Sequence, residues 1–275
     1  MKTIILAAGQ GTRLRPLTDT RPKCMVELLG KPLLKHQLDM LKSKGIDDIY
    51  VATGYLENKI DYPQIKGKYF NPRYDKTNMV VSLFCALEVM EGDDLLITYG
   101  DIVYSDTVIE QVLNNDSEIG VVVDKDWRNY WEARMDNPLD DAETLKVNTN
   151  GDIIELGKKA KSIDEIQGQY IGMIKVRKDF VHKFISFYQG LDKNEMYDGN
   201  DFDNMYMSSF LQKITDELIV KFFENFKNNS SGNKQTNFTS AEDGSARNEK
   251  GRTTESISLR IIYHINNWWK NVVFN

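Results

Sequence analysis

The chain opens with a short apolar β run, Thr3 to Leu6, that feeds straight into a loop of small residues, Ala7-Ala8-Gly9-Gln10-Gly11-Thr12. Arg13, Pro16 and Lys23 come next. This order favours an α/β fold in which a strand delivers its C-terminal end to a crevice. Glycine lets the backbone come close to a ligand, so its N–H groups can face phosphate oxygens. A guanidinium can bind such oxygens in pairs, and an ammonium acts on them as a point charge. The stretch therefore reads as a triphosphate grip made by Leu6, Ala7, Ala8, Gly9, Gln10, Gly11, Thr12, Arg13 and Lys23.

Two better-known phosphate loops are excluded by what stands at their fixed positions. A dinucleotide-binding turn wants a third Gly or Ala where Leu14 stands. A P-loop wants Gly-Lys-Ser/Thr, which does not follow here.

Beyond the loop the chain alternates strand and helix. Pro32 marks the first turn of a helix, and Leu34, Leu38 and Leu41 share one face of it. Gly45 closes that helix, and Ile49 to Thr53 is a buried strand. Thr77 is the expected cap of a helix whose stripe is Val80, Leu83, Phe84 and Leu87. Gly92 ends it, and Leu95 to Tyr99 is the next strand, running into Gly100-Asp101. Ser105 caps a helix with Val108, Ile109 and Val112, and Ile119 to Val123 forms a further strand. The alternation predicts a Rossmann-like, mostly parallel or mixed sheet with helices on both faces.

The next segment is richer in β signals. Thr144 to Val147 and Ile153 to Leu156 flank Asn150-Gly151, a hairpin turn signal. Tyr170 to Val176 is another strand. Asp179 to Tyr188 reads as a helix with Phe180, Phe184 and Phe187 on one face. Asp203 to Leu218 reads as a second, with Met207, Phe210, Leu211 and Ile214. Composition then changes near Glu224. We therefore place a domain at 1–223 and an atypical polar tail at 224–275, which reads as a linker or a disordered segment. The tail ends in an apolar stretch, Ile257 to Phe274, with Trp268 and Trp269.

A net charge of −6 over 275 residues argues against a general nucleic-acid surface, though not against a local phosphate pocket. The two cysteines, Cys24 and Cys85, suggest neither a disulfide framework nor a structural zinc site. A reducing cytosol is the expected setting. No apolar run has the length of a membrane span, and no feature fixes an oligomeric state.

Leu6 to Met25 fits every fixed position of the pattern LAAGxGxRLxPLTxxxPKxM. In this the chain resembles the nucleotidyltransferases that include sugar-1-phosphate nucleotidylyltransferases and phosphocholine cytidylyltransferases. The segments TNMVVSLFCA, YGDIVY, DKDWRNYWEARMDNPLDDAETL, GQYIGMIKV and YDGNDFDNMYMSSFLQ resemble the phosphocholine-cytidylyltransferase-like subgroup, so the likeness extends to about Leu218. It implies the nucleotide-diphospho-sugar transferase type of fold. It also implies an NTP, CTP favoured, and a small phosphorylated acceptor, phosphocholine first. A sugar-1-phosphate acceptor is the alternative.

Such a transfer needs the triphosphate held, its charge neutralised and the acceptor in line with the leaving pyrophosphate. Asp101 ends a strand of the sheet, where such folds place their sites, and is the expected ligand of a Mg²⁺ cofactor. Arg13, Lys23 and Asp101 form the expected catalytic set, the two cations stabilising developing phosphate charge. By resemblance, Asn78, Ser82 and Gly100 complete the nucleotide site, and Lys158 or its neighbour Lys159 contacts the acceptor phosphate. Trp127, Tyr130 and Trp131, with Tyr170 and Tyr206, can offer rings to a trimethylammonium group, and Asp201 and Asp203 can offer charge.

One part of the family pattern is missing from the sequence. Relatives carry a second metal-binding Asp in a segment like W-x-E-[IV]-D, which should come shortly after Val220. Two readings stand: Asp201, Asp203 or Glu224 replaces it, or the gene end is rearranged. A nucleotide-binding protein without turnover is the reading from a different class.

Overall fold

A computed structural model describes residues 1–133, 135–218 and 220–224. The polar tail, its Trp268-Trp269 pair and the Glu224 carboxylate lie outside what is described.

In chain order the first half runs β1 (Lys2–Ala7), β2 (Glu27–Leu28), β3 (Lys31–Pro32), α1 (Leu33–Ser43), β4 (Asp48–Thr53), β5 (Gly67–Phe70), α2 (Met79–Phe84), β6 (Leu95–Tyr99), α3 (Asp106–Asn114) and β7 (Ile119–Asp124). The second half runs α4 (Trp127–Glu132), β8 (Glu143–Val147), β9 (Ile153–Lys159), β10 (Gln169–Val176), α5 (Val181–Gly190), α6 (Met207–Glu217) and β11 (Val220–Glu224). Seven strands form the central sheet in the order β11-β7-β10-β6-β1-β4-β5.

The sheet is mixed. β1 pairs in parallel with β4 and β6, β4 with β5, and β7 with β11. β10 is inserted antiparallel between β6 and β7. The start of β10 therefore lies at the same sheet edge as the C-terminal ends of β1, β6 and β7. That shared edge is where the site is built.

Side chains alternate across the sheet, so each strand feeds two cores. Ile4, Ile97, Val121 and Ile174 pack on one face with Leu83, Phe84, Phe184, Phe210 and Leu211. Ile5, Val51, Leu96 and Val122 pack on the other with Leu34, Leu38, Leu41, Val108 and Val112. β8 and β9 form a separate antiparallel ribbon, and its Leu145, Ile153 and Leu156 join the first core. Asn150-Gly151 lies in the turn between them, with the Asn148 side chain accepting the N–H groups of Asn150 and Asp152.

Several local expectations shift. Pro32 caps α1 instead of occupying its first turn. Asn78, not Thr77, caps α2, its side chain accepting the Met79 N–H; the Thr77 hydroxyl instead donates to the Arg73 carbonyl. Ser105 stands at the start of α3 but its hydroxyl meets Thr107 and no backbone amide. α6 starts at Met207, because residues 202–204 form a separate 3₁₀ turn under the Asp201 side chain. β5, α4 and β11 are elements that the sequence reading did not place. Among the described residues no helix is long and apolar enough to cross a membrane.

Candidate active site

The loop after β1 enters a 3₁₀ turn, Thr12–Leu14, that leaves Arg13 exposed and Leu14 buried. Gly11 precedes the turn at φ +65°, a conformation that L side chains rarely adopt. A Cβ there would lie 2.9 Å from the Lys23 Cβ. Glycine thus does two things at one position: it turns the chain and lets Lys23 pass close beneath the loop. Thr18 fastens the loop by donating to the Gly11 carbonyl at 2.9 Å.

Lys23 reaches the Asp101 carboxylate, and the two side chains are 20% and 22% exposed. Asp101 follows β6 through Gly100, where a Cβ would sit 2.7 Å from the Leu6 carbonyl oxygen. That close crossing brings the two loops together. The segment is held from below by Gln37, a buried side chain of α1. Its Nε2 donates to the carbonyls of Tyr99 and Ile102, both at 2.8 Å, and its Oε1 accepts from Thr98 at 3.2 Å. Gln37 therefore brackets Asp101, and the sequence reading missed it. Its only signal was a polar residue within an apolar helix stripe.

These groups line one cleft of about 460 Å³. Leu6, Ala7, Ala8, Gly9, Arg13, Lys23, Asn78, Ser82, Gly100 and Asp101 all face it, so most of the expected nucleotide site converges. A Cβ on Gly9 would meet no atom within 4 Å, which leaves that stretch of backbone open to a ligand. Gln10, Gly11 and Thr12 are not part of the lining. Asn78 caps α2 and donates to the Asn204 carbonyl at 3.3 Å, while Ser82 accepts from Asn71 at 2.9 Å. Cys24 also lines the cleft, but burial and then the Asp101 charge push its thiol up to about 12, so it stays un-ionised.

The expected acceptor residues divide. Trp131, Tyr170 and Tyr206 line the cleft. Trp127 is buried beside Trp131, with ring centroids 5.9 Å apart, in a satellite core with Ala142, Ala160 and Ile166, so it supports Trp131 from behind. Lys158 is half exposed, and its ammonium lies 3.7 Å from Glu155, away from the lining. Asp203 forms an ion pair with Arg73, and Asp201 caps the turn at 202–204. Neither aspartate reaches the cleft, since each is already committed to a local partner.

In their place the cleft carries Asp141 and Glu143, which the sequence reading did not single out. Glu143 opens β8. The buried Gln169 amide grips its backbone, donating to the Glu143 carbonyl at 2.6 Å and accepting its N–H at 3.2 Å. Glu143 as a residue is exposed, yet its carboxyl stands among protein atoms of the cleft, and that desolvation raises its pKa from 4.5 to about 7, opposed by the nearby Ser208 hydroxyl of α6 and helped by Asp141 and Asp198. Burial, followed by the Glu143 charge, also raises Tyr170.

Among the described residues no group of three or more acidic, histidine or cysteine side chains converges on a metal position. The Asp101 carboxylate beside the phosphate loop fits an ion that takes its remaining ligands from phosphate and water, as Mg²⁺ does.

The sequence profile described as MobA-like NTP transferase domain matches residues 3–144. The CTP:phosphoglutamine cytidylyltransferase of Campylobacter jejuni is 47% identical over 226 residues, which cover 79% of this chain and 89% of that one. The choline-phosphate cytidylyltransferase of Streptococcus pneumoniae is 47% identical over 107 residues, 35% of this chain and 46% of that one. A solved structure of a CTP:phosphocholine cytidylyltransferase from Streptococcus pneumoniae superposes with a TM-score of 0.61 at 25% identity, covering 82% of this chain and 90% of that one.

Proposed function

The chain is a nucleotidyltransferase of the MobA-like NTP transferase family, and from that premise we propose that it joins the cytidylyl group of CTP to the phosphate of a small nitrogen-bearing acceptor. An acceptor phosphate oxygen attacks the α-phosphorus, the bond from that phosphorus to the bridging oxygen breaks, and pyrophosphate leaves. The observation that carries this reading is the meeting of the Leu6–Lys23 loop with Asp101 in one cleft.

Each residue has a physical task. The open backbone at Gly9 offers N–H groups to phosphate oxygens. Arg13 faces the same space with paired donors that match those oxygens. Lys23 neutralises charge that develops on the α-phosphate and the departing pyrophosphate. Mg²⁺, held by Asp101, triphosphate oxygens and water, would add charge neutralisation and alignment of the two phosphates. Asn78 and Ser82 stand on the wall where the cytosine would lie.

The relative named for phosphoglutamine matches far more of this chain than the one named for choline phosphate. Phosphoglutamine is therefore the first acceptor to try and phosphocholine the second. The test is pyrophosphate release from CTP with and without Mg²⁺, using phosphoglutamine, phosphocholine and glucose-1-phosphate. Metal-dependent release with either nitrogen-bearing acceptor is the expected result. Release with glucose-1-phosphate alone would replace the acceptor class, and CTP binding without any release would replace the enzyme by a binding module.

A further inference from the structure

Asn71, the residue after β5, is 1% exposed, and both ends of its side-chain amide are used. Its backbone N–H donates to the Thr53 carbonyl at 2.8 Å, which ties the turn beyond β5 to the end of β4. Its Oδ1 accepts the Arg73 N–H at 2.9 Å. Its Nδ2 donates to the hydroxyls of Thr77 and Ser82, both at 2.9 Å. A peptide N–H can only donate, so the Arg73 contact fixes which end of the amide is oxygen. Each of the two hydroxyls therefore receives a hydrogen from Asn71.

This sets the polarity of what the wall can offer. Thr77 spends its own proton on the Arg73 carbonyl at 2.9 Å, so it keeps only a lone pair for anything else. Ser82 differs. Among the described residues its proton has one acceptor in reach, the Asn78 carbonyl, at 3.5 Å. A good O–H···O bond spans about 2.5–3.0 Å, so the Ser82 proton is free for a shorter one. Thr77, Asn78 and Ser82 line the cleft, whereas Asn71 does not. Gly54 lets this turn press against the phosphate loop: a Cβ there would lie 2.6 Å from the Ala8 carbonyl oxygen and 2.6 Å from the Tyr74 Cβ. The wall and the phosphate grip are therefore neighbours, as a triphosphate and its base require.

On the nucleotidyltransferase reading above, we infer that Asn71 is a positioning residue for the nucleobase, which it never touches. It acts through Ser82, keeping that hydroxyl a hydrogen-bond donor toward a ring acceptor, and through Thr77, which it leaves as an acceptor. A pyrimidine edge that carries an acceptor and a donor side by side, as cytosine does at N3 and its amino group, completes both. An acceptor in place of the Asn71 amide nitrogen would draw the Ser82 proton inward and leave lone pairs alone to face the cleft.

The test uses N71D, S82A and the double variant. Affinities for CTP and for inorganic triphosphate are read by calorimetry, and Tm is read on the same samples. N71D keeps the side-chain volume and the acceptor for the Arg73 N–H but turns the donor into a carboxylate oxygen. Hydrogen bonds from the surrounding donors favour the charged form of that carboxylate, and assays at pH 8 keep it ionised. The expected result is a CTP affinity about tenfold lower in N71D and about three- to tenfold lower in S82A, with triphosphate affinity within about twofold of the wild type in both. In the S82A background N71D is expected to cost little more, because the hydroxyl it reverses is gone. An Asn71 that only holds the turn would lower affinity for CTP and triphosphate together, and its effect would add to that of S82A; either result overturns the inference. So does a folded N71D that binds CTP like the wild type. An S82A variant with wild-type CTP affinity overturns it as well, whether or not N71D folds. A wild type that binds neither CTP nor triphosphate would instead overturn the nucleotidyltransferase reading beneath it.

Discussion

The Lys23 ammonium and the Asp101 carboxylate meet across the floor of the cleft, one from the loop after β1 and the other from the end of β6. Each is the natural partner of a different ligand group, a phosphate for Lys23 and a hard cation for Asp101. Removing them should therefore leave different signatures. Lys23→Ala is expected to lower kcat by about 10²- to 10³-fold, in line with loss of one charge stabiliser, with the Mg²⁺ concentration for half-maximal rate not raised. Asp101→Asn is expected to raise that concentration. A Mg²⁺ titration of pyrophosphate release in both variants separates the two roles.

Gln37 offers a test of positioning from outside the cleft. Gln37→Leu keeps the volume of the side chain but removes the Nε2 donor from the carbonyls of Tyr99 and Ile102 that flank Asp101. A stability loss of about 1–3 kcal/mol is expected from the lost buried hydrogen bonds. Turnover should fall further than stability explains, because the Asp101 segment loses its anchor. Denaturant unfolding and kcat measured on the same variant check both parts.

Much of this was legible because it is local. The parallel strands β1, β4, β6 and β7 are buried on both faces and read as apolar runs, and α1 announces itself through Leu34, Leu38 and Leu41. β5 was missed because it is an edge strand with Lys68 exposed in its middle, and α4 because six residues are too few to display a period. The direction of β10 is not written in its apolar run; the neighbours on either side decide it. The site divides along the same line. Its phosphate half is one contiguous motif, whereas its acceptor half is assembled from four separate elements. A surface acid such as Asp203 cannot be told from a binding acid until its partner, Arg73, is found 130 positions away.

That pairing predicts a small effect. Asp203→Asn removes a half-exposed ion pair, whose contribution is about 0–1 kcal/mol, and takes nothing from the cleft lining. The KM for acceptor should stay within about twofold of the wild type, an energy difference below about 0.5 kcal/mol. A KM that rises with the loss of this carboxylate would return Asp203 to the acceptor site.

Glu143 couples stability to pH in a direction opposite to most carboxylates. Its pKa is raised in the folded protein, from 4.5 to about 7, so within that window the folded state keeps a proton that the unfolded chain has lost. Its contribution therefore favours folding at low pH and is lost as pH rises through the window. Groups with depressed values, such as Asp39 and Asp93, act in the other direction, so the comparison must be with a matched variant. The Tm difference between E143Q and the wild type should move in favour of E143Q as pH rises from 4.5 to 7.

Gly11 is where backbone and chemistry are tied most tightly. Gly11→Ala places a Cβ on a residue at φ +65°, which costs roughly 1–2 kcal/mol for an L residue in that region. The same Cβ falls 2.9 Å from the Lys23 Cβ, 3.1 Å from its Cγ and 3.4 Å from its Cδ, so the lysine stem has to move. Strain alone would lower stability and leave kcat of the folded fraction intact. Displacement of Lys23 would lower kcat as well, and the present geometry predicts that second outcome, with a fall approaching that of Lys23→Ala. Measuring kcat well below the variant's Tm, where the protein is fully folded, separates the two. An unchanged kcat would mean that the loop yields elsewhere and that the Lys23 position does not depend on the missing side chain at Gly11.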